Sequence, residues 1–143
     1  MESFCQGNYT AIRLDPGDLV LECLEQVVDQ QKIHTAVVVS GIGTLSDAHL
    51  HMVTTTGYPA VEHHPVWKDT PLELCSIDGI IASGVPHLHT VISDGTNTWG
   101  GHLERGCKTL YLCEIVLEAI PNMRLKRIQN SKKINELKLD ETL

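Results

Sequence analysis

Aromatic residues are scarce in this 143-residue chain, with one Phe, two Trp and three Tyr making up 4% of it. A core without large rings falls to Val, Ile and Leu, and the β-branched members of that set suit sheets. Basic residues are outnumbered, 11 Lys and Arg against 18 Asp and Glu, for a formal net charge of −7. That balance counts against a free-standing phosphate-binding surface, because nucleic-acid binders normally present a basic patch. Local basicity gathers only near the end, in Arg124, Lys126, Arg127, Lys132 and Lys133, and reads as a solvated edge strand and tail. No apolar run approaches the roughly 20 residues of a membrane span, and the opening MESFCQGNYT has no apolar signal-peptide region. Cys-x-x-Cys spacing is missing, and the cysteines at 5, 23, 75, 107 and 113 are odd in number, so they read as reduced thiols. Together these absences predict a soluble, cytoplasmic protein with no membrane partner.

What is present suits one compact domain. Hydrophobic residues make up 42% and charged residues 20%, and the length supports a single core. No repeat or linker interrupts it, so the domain is expected over residues 1–130, followed by a polar tail over 131–143. Tyr9 to Leu14 alternates as a first strand, and Asp15-Pro16-Gly17-Asp18 turns the chain. Asp18 is placed to cap one helix running from Leu19 to about Gln31. Thr35 to Ser40 is a buried strand, Gly41-Ile42-Gly43 a bulge or kink, and Ala48 to Thr54 a second alternating strand. Thr55 to Thr70 reads as a loop or short irregular strand in which Glu62 and His63 are pocket candidates. Leu72 to Ala82 is a strand pair or one strand kinked at Gly79, and the almost wholly apolar Lys108 to Ile120 is a central strand. Glu114 inside it calls for a basic partner or a nearby metal. Asn122 to Gln129 closes the sheet as an edge strand, and the tail after Ser131 frays or forms a short helix.

Val85 to Gly106 gathers three histidines and four glycines around a turn signal, Asp94-Gly95. Strand alternation puts His87 and His89 on one face. A two-residue hairpin loop sets His102 opposite His87, a four-residue loop sets it opposite His89, and either brings the three imidazoles together. Gly100-Gly101 permits a bulge that would change this parity. Three histidines with a fourth position open to water or substrate are the pattern of a catalytic zinc site, so His87, His89 and His102 are expected to hold zinc or another divalent transition metal. His49 and His51 form a rival His-x-His pair, read as polar-face decoration that lines the same cavity at most.

Several of these segments together resemble a known family. Ser40-Gly41-Ile42-Gly43 with Leu45-Ser46 and Leu50, Leu72 to Gly79, His87-Leu88-His89, and Gly100-Gly101-His102-Leu103 with Gly106 look like the plants-and-prokaryotes conserved (PPC) domain, over about Tyr9 to Arg127. The resemblance implies an α+β fold, a strongly curved, barrel-like antiparallel sheet with one long helix, assembled as a homotrimer. It implies metal at positions 87, 89 and 102, as in the prokaryotic branch. The fold is also similar to that of acetolactate decarboxylase, a zinc enzyme, which makes metal-dependent chemistry on a small molecule one reading. Plant members follow AT-hook segments in nuclear DNA-binding proteins, so a DNA-associated or regulatory oligomerisation module with a structural metal is the other reading. This chain has no Arg-Gly-Arg-Pro hook, and it has Thr70-Pro71-Leu72 where plant domains carry Gly-Arg-Phe.

Charge decides between the readings of DNA contact. Each protomer of a trimer would add its own excess of 18 acids over 11 bases, so repulsion from the duplex should outweigh the 124–133 cluster, and DNA is not expected as a partner on its own. In a mobility-shift titration at about 0.15 M salt, where the Debye length is near 8 Å, no saturable binding is expected below micromolar protein. Saturable submicromolar binding that weakens steeply with salt would promote the DNA-associated reading.

Overall fold

The computed structural model describes residues 1–141 and consists of eleven strands and one helix. In chain order these are β1 (Glu2–Gln6), β2 (Tyr9–Leu14), α1 (Val20–Gln30), β3 (Thr35–Val53), β4 (Glu62–His63), β5 (Val66–Trp67) and β6 (Leu72–Ala82). They continue as β7 (Val85–Ser93), β8 (Thr98–Leu103), β9 (Lys108–Ala119), β10 (Leu125–Gln129) and β11 (Asn135–Leu139). The main sheet runs β1-β2-β9-β3-β6-β7-β8, every pair antiparallel, and β8 also pairs with β3. That last pairing turns β3, β6, β7 and β8 into a closed ring, so the sheet is strongly curved.

One 19-residue strand makes this curvature. Where the sequence predicted two strands, Thr35 to Ser40 and Ala48 to Thr54, β3 is continuous. It joins β9 and β6 along its first half and β8 along its second. Its register against β9 shifts between Val38 and Ser40, between Gly43 and Leu45, and between Leu45 and Asp47, and each irregularity adds twist. Gly43 is required there by space: a Cβ would stand 2.4 Å from the Leu112 carbonyl oxygen and 2.5 Å from Cys113 Sγ. The glycines seen in sequence therefore bend the strand without ending it.

The ring interior and the space under α1 form a single aliphatic core. Leu50, Leu74, Ile77, Leu88, Ile92 and Leu103 fill the ring, while Ile12, Leu14, Ile115 and Leu117 meet Val20, Leu24, Val27 and Val28 of the helix. Fully burying one such side chain contributes about 1.5–3 kcal/mol. The helix has 11 residues, so the long helix implied by resemblance is a short one. Nor does Asp18 cap it. Leu19 is the N-cap and makes no side-chain cap, the Val20 N–H donates to the Cys107 carbonyl at 2.9 Å, and Asp18 instead accepts the Asp15 N–H at 2.9 Å to close the preceding turn. Helix α1 is short because Lys32, at φ 55°, reverses the chain into β3 directly after the Gln31 C-cap.

Other elements depart from expectation at the ends. β1 pairs with β2 ahead of the first predicted strand, and β9 is central, lying between β2 and β3. Glu114 faces outward and exposed, opposite Arg13 and Ile42, away from the histidines. The tail expected to fray or coil forms β11, which pairs with β10 from Leu125↔Leu139 to Gln129↔Asn135. Asn130 closes this hairpin by accepting the Lys132 and Ile134 N–H groups; a strand ladder therefore satisfies backbone groups that a frayed tail would leave to water. Residues 142 and 143 of the predicted tail lie outside the described residues. Among the described residues no helix is long and apolar enough to cross a membrane.

Asp47, only 7% exposed, fastens the last bulge of β3. Its carboxylate pairs with Lys108 Nζ at 2.8 Å and accepts the Asp69 N–H at 2.9 Å. The hydrogen bond from Lys108, then that from Asp69, holds the Asp47 carboxyl below its ordinary range. A carboxyl depressed in this way stabilises the fold above its unfolded pKa, and that stabilisation is lost as pH falls through the lower folded value. Asp47→Ala strands the Asp69 N–H and should cost about 1–3 kcal/mol, read as a melting temperature several degrees lower at neutral pH. The gap from the parent should shrink below about pH 4, and a gap independent of pH would contradict this account.

Candidate metal centre

The hairpin of β7 and β8 has the four-residue alternative of the two loops considered, Ser93 pairing with Thr98. Asp94 explains the choice: its Oδ1 accepts the N–H of Thr96 at 2.8 Å and of Asn97 at 2.7 Å, building the loop from its own side chain. The pairing then runs to His89↔His102 with no shift at Gly100-Gly101. Gly101 serves close approach instead, since a Cβ there would lie 2.7 Å from the His51 carbonyl oxygen. Strand β8 can therefore lie against β3, where His51 pairs with His102. One row of directly opposed residues results across four strands: Asp78, His89, His102 and His51.

The three predicted ligands come together on the outer face of the ring. Ring centroids are 5.1 Å apart for His87 and His102, 5.6 Å for His89 and His102, and 5.4 Å for His87 and His89. Imidazoles bound to one tetrahedral ion through Zn–N bonds of about 2.0–2.1 Å have centroids roughly 5 Å apart, which is the spacing of these rings, but their nitrogens do not converge to within 4.8 Å of one another. His51 stands differently, stacked on His102 at 4.6 Å and 20°.

Sequence reasoning assigned no role to Glu104, and His51 no more than a place in the cavity wall. Glu104 accepts a hydrogen bond from His51 Nδ1 at 2.5 Å and lies 3.5 Å from His102 Nδ1. Ligand atoms of His51, His102 and Glu104 fall within 4.8 Å of one another, the tightest donor group among the described residues. The Glu104 signal was available, because a residue two beyond His102 shares its face. The His51 signal was not, because it depends on a pairing between strands about fifty residues apart. His64 packs over His51 at 5.3 Å and approaches Glu62 at 3.4 Å, while His63 pairs with Met52 outside this group.

The electrostatics suit neutral imidazoles. Burial pushes His102 below its ordinary range, with the charge of His51 adding to this and Glu104 opposing it. Burial likewise lowers His87, and Arg127 adds to the effect. Burial pushes Glu104 up, but the hydrogen bond from His51 and the charges of His102, His51 and His49 overcome it, and the carboxyl sits below its usual range. His102 Nδ1 is buried without a hydrogen-bond partner, a condition that a neighbouring charge or ion would relieve. Beneath the cluster, Cys107 accepts the His49 N–H at 3.3 Å and donates to the His49 carbonyl at 3.4 Å, and burial raises its thiol to about 11.

A cleft of about 310 Å³ opens beside the histidines, lined by His51, His87, His102, Arg127 and Asn135 among others. A small α+β domain with a closed ring of antiparallel strands and an outward histidine cleft is the class this geometry defines. The chain belongs to the Plants and Prokaryotes Conserved (PCC) domain family, which matches residues 1–121. It is 33% identical over 117 residues to the protein named bifunctional protein GlmU of Synechococcus sp. (strain JA-2-3B'a(2-13)), a match covering 81% of this chain and 17% of that one. The chain thus spans about a sixth of the length of the curated relatives it matches. A solved protein from Ralstonia eutropha JMP134, provisionally described as DNA-binding, is 26% identical with TM-score 0.78, covering 96% of both chains. A metal-containing protein from Archaeoglobus fulgidus shares the fold at 21% identity and TM-score 0.74, covering 89% of both.

Proposed function

We propose that this domain binds one divalent transition metal, zinc foremost, through His87, His89 and His102, and acts with it on a small molecule. The triangle of imidazoles at 5.1–5.6 Å is the observation that carries this reading. Glu104, held by His51 and 3.5 Å from His102 Nδ1, then stands on the side where a ligating histidine has its carboxylate partner. Bound zinc would lower the pKa of its water to about 7 or polarise a carbonyl. The metal-containing description of the Archaeoglobus relative agrees with this. For the alternative, a DNA-associated module with a structural metal, the support is the description of the Ralstonia relative. The excess of acids favours the small-molecule reading. Metal analysis of purified protein should find about one ion per chain, and His89→Ala should lose it while keeping the circular dichroism of the parent. Full occupancy in His89→Ala would refute the assignment.

The proposal extends to a homotrimer. On the outward face of β1, β9 and β3, Phe4, Ile42 and Tyr111 are 57%, 51% and 71% exposed, a density of apolar surface that marks association. Light scattering should give three times the 15.8 kDa chain mass at micromolar concentration. A monomer mass would contradict it.

A further inference from the structure

The β10–β11 hairpin lies beyond residue 121, where the family match stops, yet it forms one wall of the histidine cleft. Three contacts dock β10: the Ser83 N–H and hydroxyl both donate to the Leu125 carbonyl, and the Leu125 N–H donates to Thr35 Oγ1 at 3.0 Å. Two residues on, Arg127 reaches the strands that carry His87. Its Nη1 donates to the Val85 carbonyl at 3.3 Å and its Nη2 to the Ile80 carbonyl at 3.1 Å, Ile80 being the residue directly opposite His87.

Arg127 is a cation in search of a counter-ion. Lys108, Lys126, Lys138 and Arg105 each hold a carboxylate. Among the described residues no Asp or Glu lies within 4.0 Å of the Arg127 guanidinium. A guanidinium carries five N–H donors in a rigid fork, and the two carbonyls leave most of them free. Carbonyl dipoles fix where the fork points but leave its charge unneutralised. Burial alone lowers this group from its ordinary range, so the charge is partly stripped of water with no carboxylate among the described residues beside it. In an acidic chain such a group is costly unless a ligand completes it. Asn135, at the start of β11, adds an amide to the same wall.

We infer that Arg127 is the specificity group of this cleft, and that the ligand is a small carboxylic acid whose carboxylate meets the Arg127 fork while a second oxygen points to the histidines. A cleft of about 310 Å³ lies at the small end of ligand sites, which suits a small acid. The Arg127 fork matches a planar carboxylate bidentately. Only the second contact rests on the metal reading; the first requires Arg127 alone.

The test uses L-lactate as probe, its neutral isostere L-lactamide, and inorganic phosphate, titrated into the zinc-loaded full chain and into chelator-treated chain while the histidine ring protons are followed by NMR. Lactate should bind roughly tenfold or more tightly than lactamide, and Arg127→Gln should abolish that discrimination with metal content unchanged. Arg127→Lys, which keeps charge but not the fork, should retain part of it and guards against a variant that merely loosens the hairpin. In chelator-treated protein the affinities should fall while the dependence on Arg127 persists, so failure of the metal reading alone would not hide the result. Equal binding of lactate and lactamide, an unchanged ratio in Arg127→Gln, or phosphate binding more than tenfold tighter than lactate would each overturn the inference.

Discussion

Closure of β8 onto β3 is the contact on which the rest of this domain depends. Leu50 pairs with Leu103 and His51 with His102, and through those residues an open, curling sheet becomes a ring with an inside and an outside. Inside, Leu50 and Leu103 are buried to within 1% of complete. Outside, the same stretch of ladder delivers two histidines. Because side chains alternate with period two, a slip of one residue would send the leucines to water and the histidines into the core. The hydrophobic effect that fixes the core register therefore fixes the placement of these histidines as well.

The cluster gains its order from position in a ladder. His89, His102 and His51 stand on neighbouring strands, where opposed Cβ atoms are held about 4.5–5.5 Å apart, so the ladder sets where each ring is anchored. Loops contribute less certain partners, and the histidines they carry or border, at 63 and 64, lie at the periphery of the group. The hairpin beyond residue 121 adds an Arg whose place is set by two backbone carbonyls and a short docking seam.

Local pattern carried the fold a long way. Strand β2 was legible from alternation alone, β6 from its boundaries, and the β7–β8 hairpin from Asp94-Gly95, with the loop length left between two values until the Asp94 side chain settled it. The proximity of the rings of His87, His89 and His102 was legible because all three residues lie on that one hairpin. What was not legible is non-local. His51 pairs with a residue fifty-one positions away, and no periodicity within β3 announces that its second half has left one set of neighbours for another. The glycines at 41 and 43 misled for a related reason: in isolation they look like a break, and only the close packing of Cys113 and Leu112 shows that they allow continuity. The charged tail misled because its composition hides a two-stranded ladder, flanked by an ion pair between Lys126 and Asp140.

One feature of the layer below the cluster sets the chemical temperament of the site. Cys107 exchanges hydrogen bonds with the His49 backbone from within the core, and its thiol, raised to about 11, keeps its proton at neutral pH. Sulfur is thereby withheld from a group of donors that is otherwise all imidazole and carboxylate. Thiolates favour copper(I), zinc and iron–sulfur clusters, whereas imidazole suits zinc, copper, iron and nickel. A buried, protonated thiol is also a poor target for peroxides. Occupancy of such a site would follow the supply of borderline divalent ions, and no thiolate would tie it to the redox poise of its surroundings.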